Sequence, residues 1–156
     1  MTMRRAAIRL VILALAVGIA AWFFLLRHRP SDEEQIYRLV ADAATAVQAK
    51  SPAGVLKLIS ENYQDPYGNN KRALAQQVIA GLRTVDRYAV VPEIAALRIE
   101  GRTATAQVKA RVWFGERSSS PGTDLSITLH LAKEGRHWLV ISAEGWAAAE
   151  EAYMNR

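Results

Sequence analysis

Hydrophobic and polar positions alternate along this chain in three ways, and each predicts a different element. The first is no alternation at all. The stretch opening at Leu10 and closing at Leu26 runs seventeen residues without a charge, and the indole of Trp22 is its one hydrogen-bonding side chain. A helix of that length covers roughly 26 Å, close to the ~30 Å hydrocarbon core of a bilayer. Ala6, Ala7 and Ile8 extend it if Arg9 turns its guanidinium back to the headgroups. Trp22 lies near one end, where an amphipathic ring prefers the interface. Residues 10–26 are therefore expected to form a transmembrane helix. A cleaved leader cut after Gly18-Ile19-Ala20 is the competing reading. It would leave a mature chain opening on exposed Trp22, Phe23 and Phe24, so retention is favoured.

The second pattern has a period near 3.6. After Pro30, Ser31 and Glu34 form a capping box. Ile36, Leu39, Val40, Ala43 and Val47 then recur on one helical face. Ser51-Pro52 places a cap and a first-turn proline before a short helix whose buried side is expected to be Val55, Leu56, Leu58 and Ile59. The turn-rich segment 63–70 separates this from a third helix over 71–82, with Leu74, Ala75, Val78, Ile79 and Leu82 on one face.

The third pattern, from Thr84 onward, has a period of 2. Strands are expected over 84–91 and 94–100, separated by Pro92, which a central ladder rejects. The clearest alternation follows: Ala104, Ala106, Val108, Ala110, Val112 and Phe114 on one side, Thr105, Gln107, Lys109, Arg111 and Trp113 on the other. Residues 115–123 form a loop. Leu125, Ile127, Leu129 and Leu131 then alternate with Ser126, Thr128 and His130. A hairpin at Glu134-Gly135 leads into a strand over 137–143, apolar on both faces and so expected to be central. Three helices followed by antiparallel strands predict an α+β domain with helices on one sheet face.

Charge changes the picture only once it is located. The chain carries +5, yet five arginines and no acid fall in the first thirty residues. From Ser31 onward fifteen cations meet fifteen acids. The excess is a topology signal, and no nucleic-acid partner is expected. Arg4, Arg5 and Arg9 with the amino terminus outweigh Arg27 and Arg29, which places the N-terminus in the cytoplasm and the domain outside. Arginine dominates lysine, fifteen to five, and alanine is abundant, as in GC-rich bacteria. The expected location is therefore a bacterial inner membrane, crossed once. With no cysteine, neither a disulfide nor a thiolate metal site can form.

Helix, helix, Tyr63-x-Asp65-Pro66-x-Gly68, helix, then strands ending in Gly135-Arg136-His137-Trp138-Leu139-Val140, resembles the nuclear transport factor 2-like superfamily. This resemblance implies a cone: a curved antiparallel sheet wrapped round three helices, often with a pocket. Together with the apolar run, it divides the chain into a basic N-terminus (1–9), the transmembrane helix (10–26), a linker (27–31), the domain (32–146) and a tail (147–156). The superfamily hosts isomerases, dehydratases, binding modules and assembly subunits alike.

In its ketosteroid isomerase-like members a pocket carboxylate abstracts a proton beside a tyrosine that holds the oxyanion. That implies Asp65 as the base, with Tyr37 and Tyr63 reaching the same cavity as ligand-binding residues. Asp-Pro-x-Gly is equally ordinary turn chemistry, with the carboxylate bonding its own backbone. His130 and His137 lack metal-ligand spacing, so no metal and no cofactor is expected. Trp113, among Gln107, Lys109 and Arg111, is the ring expected on the outer face of the sheet, and such a patch suits a protein partner. The favoured reading is a non-catalytic binding or assembly domain, either a homodimer or a subunit of an envelope complex. The alternative is a small-molecule pocket or an isomerase-like enzyme.

Overall fold

A computed structural model describes residues 14–19, 21–22, 30–84, 87–114 and 122–145. The chain divides into two units, Met1–Ser31 and Asp32–Arg156. In the first, residues 14–19 and 21–22 are helical and exposed. No helix among the described residues is long and apolar enough to cross a membrane. Much of the expected 10–26 span lies outside the described residues, as do the loop at 115–121 and the tail from Trp146.

The second unit is α+β. Helices α1 (Asp32–Gln48), α2 (Pro52–Leu56) and α3 (Lys71–Thr84) precede strands β1 (Tyr88–Glu100), β2 (Thr103–Phe114), β3 (Thr123–Glu134) and β4 (His137–Glu144). The strands pair antiparallel in the order β1-β2-β3-β4. The period-2 pattern of β2 explains its central position. Ala104, Ala106, Val108, Ala110 and Val112 are all buried, and most of them face α1 through Ile36, Leu39 and Val40 in one core with Leu131, Trp138 and Val140. Alanine at three of those β2 positions keeps the inner surface low, so the larger side chains of α1 can sit against it.

Helix α2 is short because its local signals are strong and its apolar face is weak. The Ser51 hydroxyl accepts a hydrogen bond from the Gly54 N–H at 3.1 Å, and Pro52 opens the helix. No α2 residue is fully buried. Leu58 and Ile59, expected on its buried face, instead follow it, Leu58 in the closing turn and Ile59 in a bridge to Val140. Because the cap carries so much of α2, Ser51→Ala should cost about 1 kcal/mol in urea denaturation.

Two further expectations are corrected. Pro92 does not separate two strands; it lies inside β1, opposite Ala110. β1 is an edge strand, where a residue without an N–H can point its empty position outward. β4 is not central in the sheet but terminal, and its two apolar faces have another cause. Its outer edge is laced by the segment after α2: Val140 N–H donates to the Leu58 carbonyl, while Ser60 and Gln64 N–H donate to the Val140 and Ile141 carbonyls, each at 2.9 Å. Ile59 and Val140 form a parallel bridge there.

The register shifts by one residue between Ile94 and Ala96 on β1, and again at His130/Leu131 on β3–β4. Such bulges bend and twist the strands that carry them. The first also decides which side chains of β1 reach the outer face.

Candidate functional site

Two places in the domain concentrate chemistry, and they lie on opposite sides of the sheet. The first is the segment between α2 and α3. Asp65 is 5% exposed and Tyr63 2%. The Asp65 Oδ1 accepts from the Tyr67 and Asn69 N–H groups at 3.0 and 2.9 Å. Its Oδ2 accepts from the Asn69 side-chain amide at 3.0 Å and the Tyr63 hydroxyl at 3.3 Å. Burial alone would raise this carboxyl. The Asn69 amide and N–H, the Tyr67 N–H and the Tyr63 hydroxyl together outweigh it and hold the group below its ordinary value. Burial first, then the Asp65 charge and hydrogen bond, push the Tyr63 phenol upward, so it stays a neutral donor.

This arrangement suits a turn better than a proton abstraction. A general base works best with a pKa near the operating pH and a free lone pair aimed at substrate. Asp65 has a lowered pKa, and its oxygens face four donors of the chain itself. Of the three expected ligand-binding residues, the structure brings Tyr63 and Asp65 together. Tyr37 is 46% exposed on α1, and among the described residues no hydrogen bond joins it to either. The interior against which a pocket would open is filled by Ile36, Leu39, Tyr63, Leu131 and Trp138, with Leu58, Ile59 and Leu74 packed around them.

The second place is the outer face of the sheet. Gln107, Lys109 and Arg111 are exposed there and Trp113 is half-buried. Cross-strand pairing sets Glu93 beside Lys109 and Val91 beside Arg111, with Ser126 and Asp124 on the far side. All of these but Gln107 line an open hollow of about 600 Å³. Val91 is 47% exposed within it. Arg111 makes a two-pronged ion pair with Asp124, Nε to Oδ1 at 2.6 Å and a terminal nitrogen to Oδ2 at 2.9 Å. That contact raises Arg111 and lowers Asp124 relative to their ordinary values. Gly122 lies directly over this corner. A Cβ on it would come 2.8 Å from the Trp113 ring and 2.7 Å from Arg111 Cγ. The four expected partner-binding residues therefore share one face, and Val91, Glu93 and Asp124 join them. The register of β1 signals Val91 and Glu93, which its bulge had hidden, and Asp124 stands opposite Arg111 across the β2–β3 pairing.

Further along this face the His130 Nδ1 lies 3.4 Å from the Thr105 hydroxyl and its Nε2 3.3 Å from Glu144. Among the described residues no group of three or more His, Asp or Glu side chains could hold a metal ion.

No family model matches the chain, and no curated protein does. Solved structures do. One is a protein of unknown function with a cystatin-like fold from Nostoc punctiforme, 19% identical over 72% of this chain and 87% of that one, TM-score 0.61. Another is a candidate calcium/calmodulin-dependent protein kinase type II association domain from Thiobacillus denitrificans, 12% identical over 73% and 92%, TM-score 0.61. A third is a candidate scytalone dehydratase from Novosphingobium aromaticivorans, 12% identical over 72% and 80%, TM-score 0.63. Identities this low show the fold alone. The domain has the cystatin-like, nuclear transport factor 2-like fold, and that fold does not by itself fix a function.

Proposed function

We propose that this chain is a non-catalytic binding or assembly protein that takes its partner on the outer face of the sheet around Trp113. In this reading residues 10–26 hold it in a bacterial inner membrane as a single span, and the domain stands outside the cytoplasm. The partner is a second copy or another envelope protein. One observation carries the binding reading: Val91 and Trp113 stand in an open hollow ringed by charge, while the buried carboxylate of Asp65 is spent on its own loop. A large ring amid long polar side chains is the make-up of an interface centre with its rim. Asp65 would need a free lone pair to favour the enzyme instead, and four internal donors leave it poorly placed.

The test is association of the full chain in native membranes, followed by crosslinking and sizing. Trp113→Ala should weaken it roughly ten-fold or more, as loss of an aromatic anchor does. Lys109→Glu should weaken it several-fold and change its salt dependence. Unchanged association in both variants would rule out the outer face as the contact surface. Extraction by alkaline carbonate, with the N-terminus intact, would remove the anchor.

A further inference from the structure

The strand directions bring the two tight turns of the sheet to one end, and the chain enters the domain at that same end. β1 runs into β2 through Gly101-Arg102, and β3 into β4 through Gly135-Arg136. Lys133 N–H donates to the Arg102 carbonyl at 2.8 Å, so the two turns are neighbours. Asp32, the first residue of α1, is pinned beside them. Its carboxylate accepts from the Lys133 ammonium, and from the Trp138 indole N–H at 3.1 Å. The Lys133 ammonium also stands 5.9 Å from the centre of the Trp138 ring.

We infer that this end of the domain lies on the membrane, with Arg102 and Arg136 at the hairpin tips bonding phospholipid headgroup phosphates. The inference rests on the anchoring proposed above. Residues 27–31 are too few to let Asp32 stray far: six residue steps from Leu26 reach at most roughly 20 Å. The Asp32 clasp then decides which part of the domain meets the surface first. Gly101, Arg102, Gly135, Arg136 and His137 are all exposed. Among the described residues Arg136 has no ion-pair or hydrogen-bond partner, and Arg102 donates to a carbonyl, so neither cation is neutralised within the chain. Two acids of this end are paired with cations, and a third accepts from a neutral hydroxyl. Asp32 holds Lys133, Glu100 pairs with Arg98 at 2.6 Å, and Glu134 accepts from the Ser60 hydroxyl. Glu33 and Glu34 stay exposed in the first turn of α1, where the helix dipole favours them. Guanidinium groups suit phosphate because their donors form a planar fork, and each arginine at an anionic surface shifts occupancy roughly five-fold.

The chain has no cysteine, so single labels are clean. The full chain is reconstituted into vesicles of phosphatidylethanolamine with a minority of phosphatidylglycerol, carrying a fluorophore at His137→Cys or Ser126→Cys. Ser126 stands eight residues up β3 from Glu134, roughly 27 Å away. Nitroxide on the lipid headgroups should quench the His137→Cys label far more than the Ser126→Cys label. The Arg102→Glu/Arg136→Glu pair, or Arg136→Glu alone, should remove most of that difference, as should high salt. A chain that fails to float with the vesicles would overturn the anchoring and this inference together. A chain that floats, but whose two labels quench alike or ignore the reversals, would leave the anchoring standing and overturn the hairpin contact.

Discussion

Replacing Asp65 by alanine should lower the stability of the domain by about 3 kcal/mol in urea denaturation. The carboxylate is an acceptor for four donors, two of them on Asn69, in a segment that closes back on itself between α2 and α3. Removing it leaves the Tyr63 hydroxyl, 2% exposed, without its partner. A buried donor left unmade costs about 1–3 kcal/mol, and the backbone donors of the turn add to that. Asp65→Asn keeps one acceptor oxygen and should cost roughly half as much. A residue kept for catalysis behaves in the opposite way, since its removal usually leaves the fold intact or stabilises it. Stability unchanged in Asp65→Ala would return Asp65 to the list of catalytic candidates.

The same contacts fix a pH dependence. The folded Asp65 carboxyl is held below its unfolded value, so its contribution is fully present above the ordinary carboxylate range. It is lost as pH falls through the lowered folded value. Asp32 follows the same sign, held down first by Lys133 and then by the Trp138 indole. The domain should therefore lose stability on acidification, and Asp65→Asn should flatten part of that slope.

Gly145→Ala should be comparably damaging, about 3 kcal/mol by thermal unfolding, for two separable reasons. Gly145 has φ +85°, a conformation that costs an L-residue about 1–2 kcal/mol. It also passes so close to β3 that an added Cβ would stand 2.3 Å from the Ser126 carbonyl oxygen. That neighbour is backbone and cannot rotate away. The end of the β3–β4 ladder, Thr128 opposite Glu144, should open, and the Gly145 N–H should lose the Tyr67 hydroxyl it reaches at 3.4 Å. Gly101→Ala is the control. Its φ is +62° with open space around it, so it should cost only the conformational part. Equal costs at both glycines would show that Gly145 does not crowd Ser126. Faster amide exchange over 126–128 in Gly145→Ala alone would locate the damage.

Much of the fold is written locally and could be read locally. α1 repeats its apolar positions at helical spacing, and Ser51-Pro52 carries both signals of a helix start. β2 alternates because one of its faces is buried and the other is not. What escaped reading is tertiary. The extra residue at Ala95 exchanges the faces of β1, bringing Val91 and Glu93 out beside Arg111 and Lys109 and turning Val90 and Ile94 inward. No periodicity announces a single bulge in an apolar strand. Likewise, the apolar faces of β4 are those of an interior strand by composition, yet its neighbour on one side is a stretch of loop, 58–64, lent by the segment after α2. At the candidate sites, Asp65-Pro66-x-Gly68 advertised its turn, but the Asn69 amide and the Tyr63 hydroxyl that saturate the carboxylate depend on how the loop closes. Trp113, Lys109, Arg111 and Gln107 were legible as one face because β2 is regular along their whole length.

In the reading proposed above, the domain provides contact on the outer sheet face and no reaction in the interior. Photocrosslinking from a single reactive side chain in intact membranes addresses it directly, with the group placed at Gln107 on that face and, separately, at Arg72 on α3. A discrete adduct from Gln107 that fades in Trp113→Ala is expected, with little from Arg72. Adducts from Arg72 with none from Gln107, or a Gln107 adduct indifferent to Trp113, would contradict it.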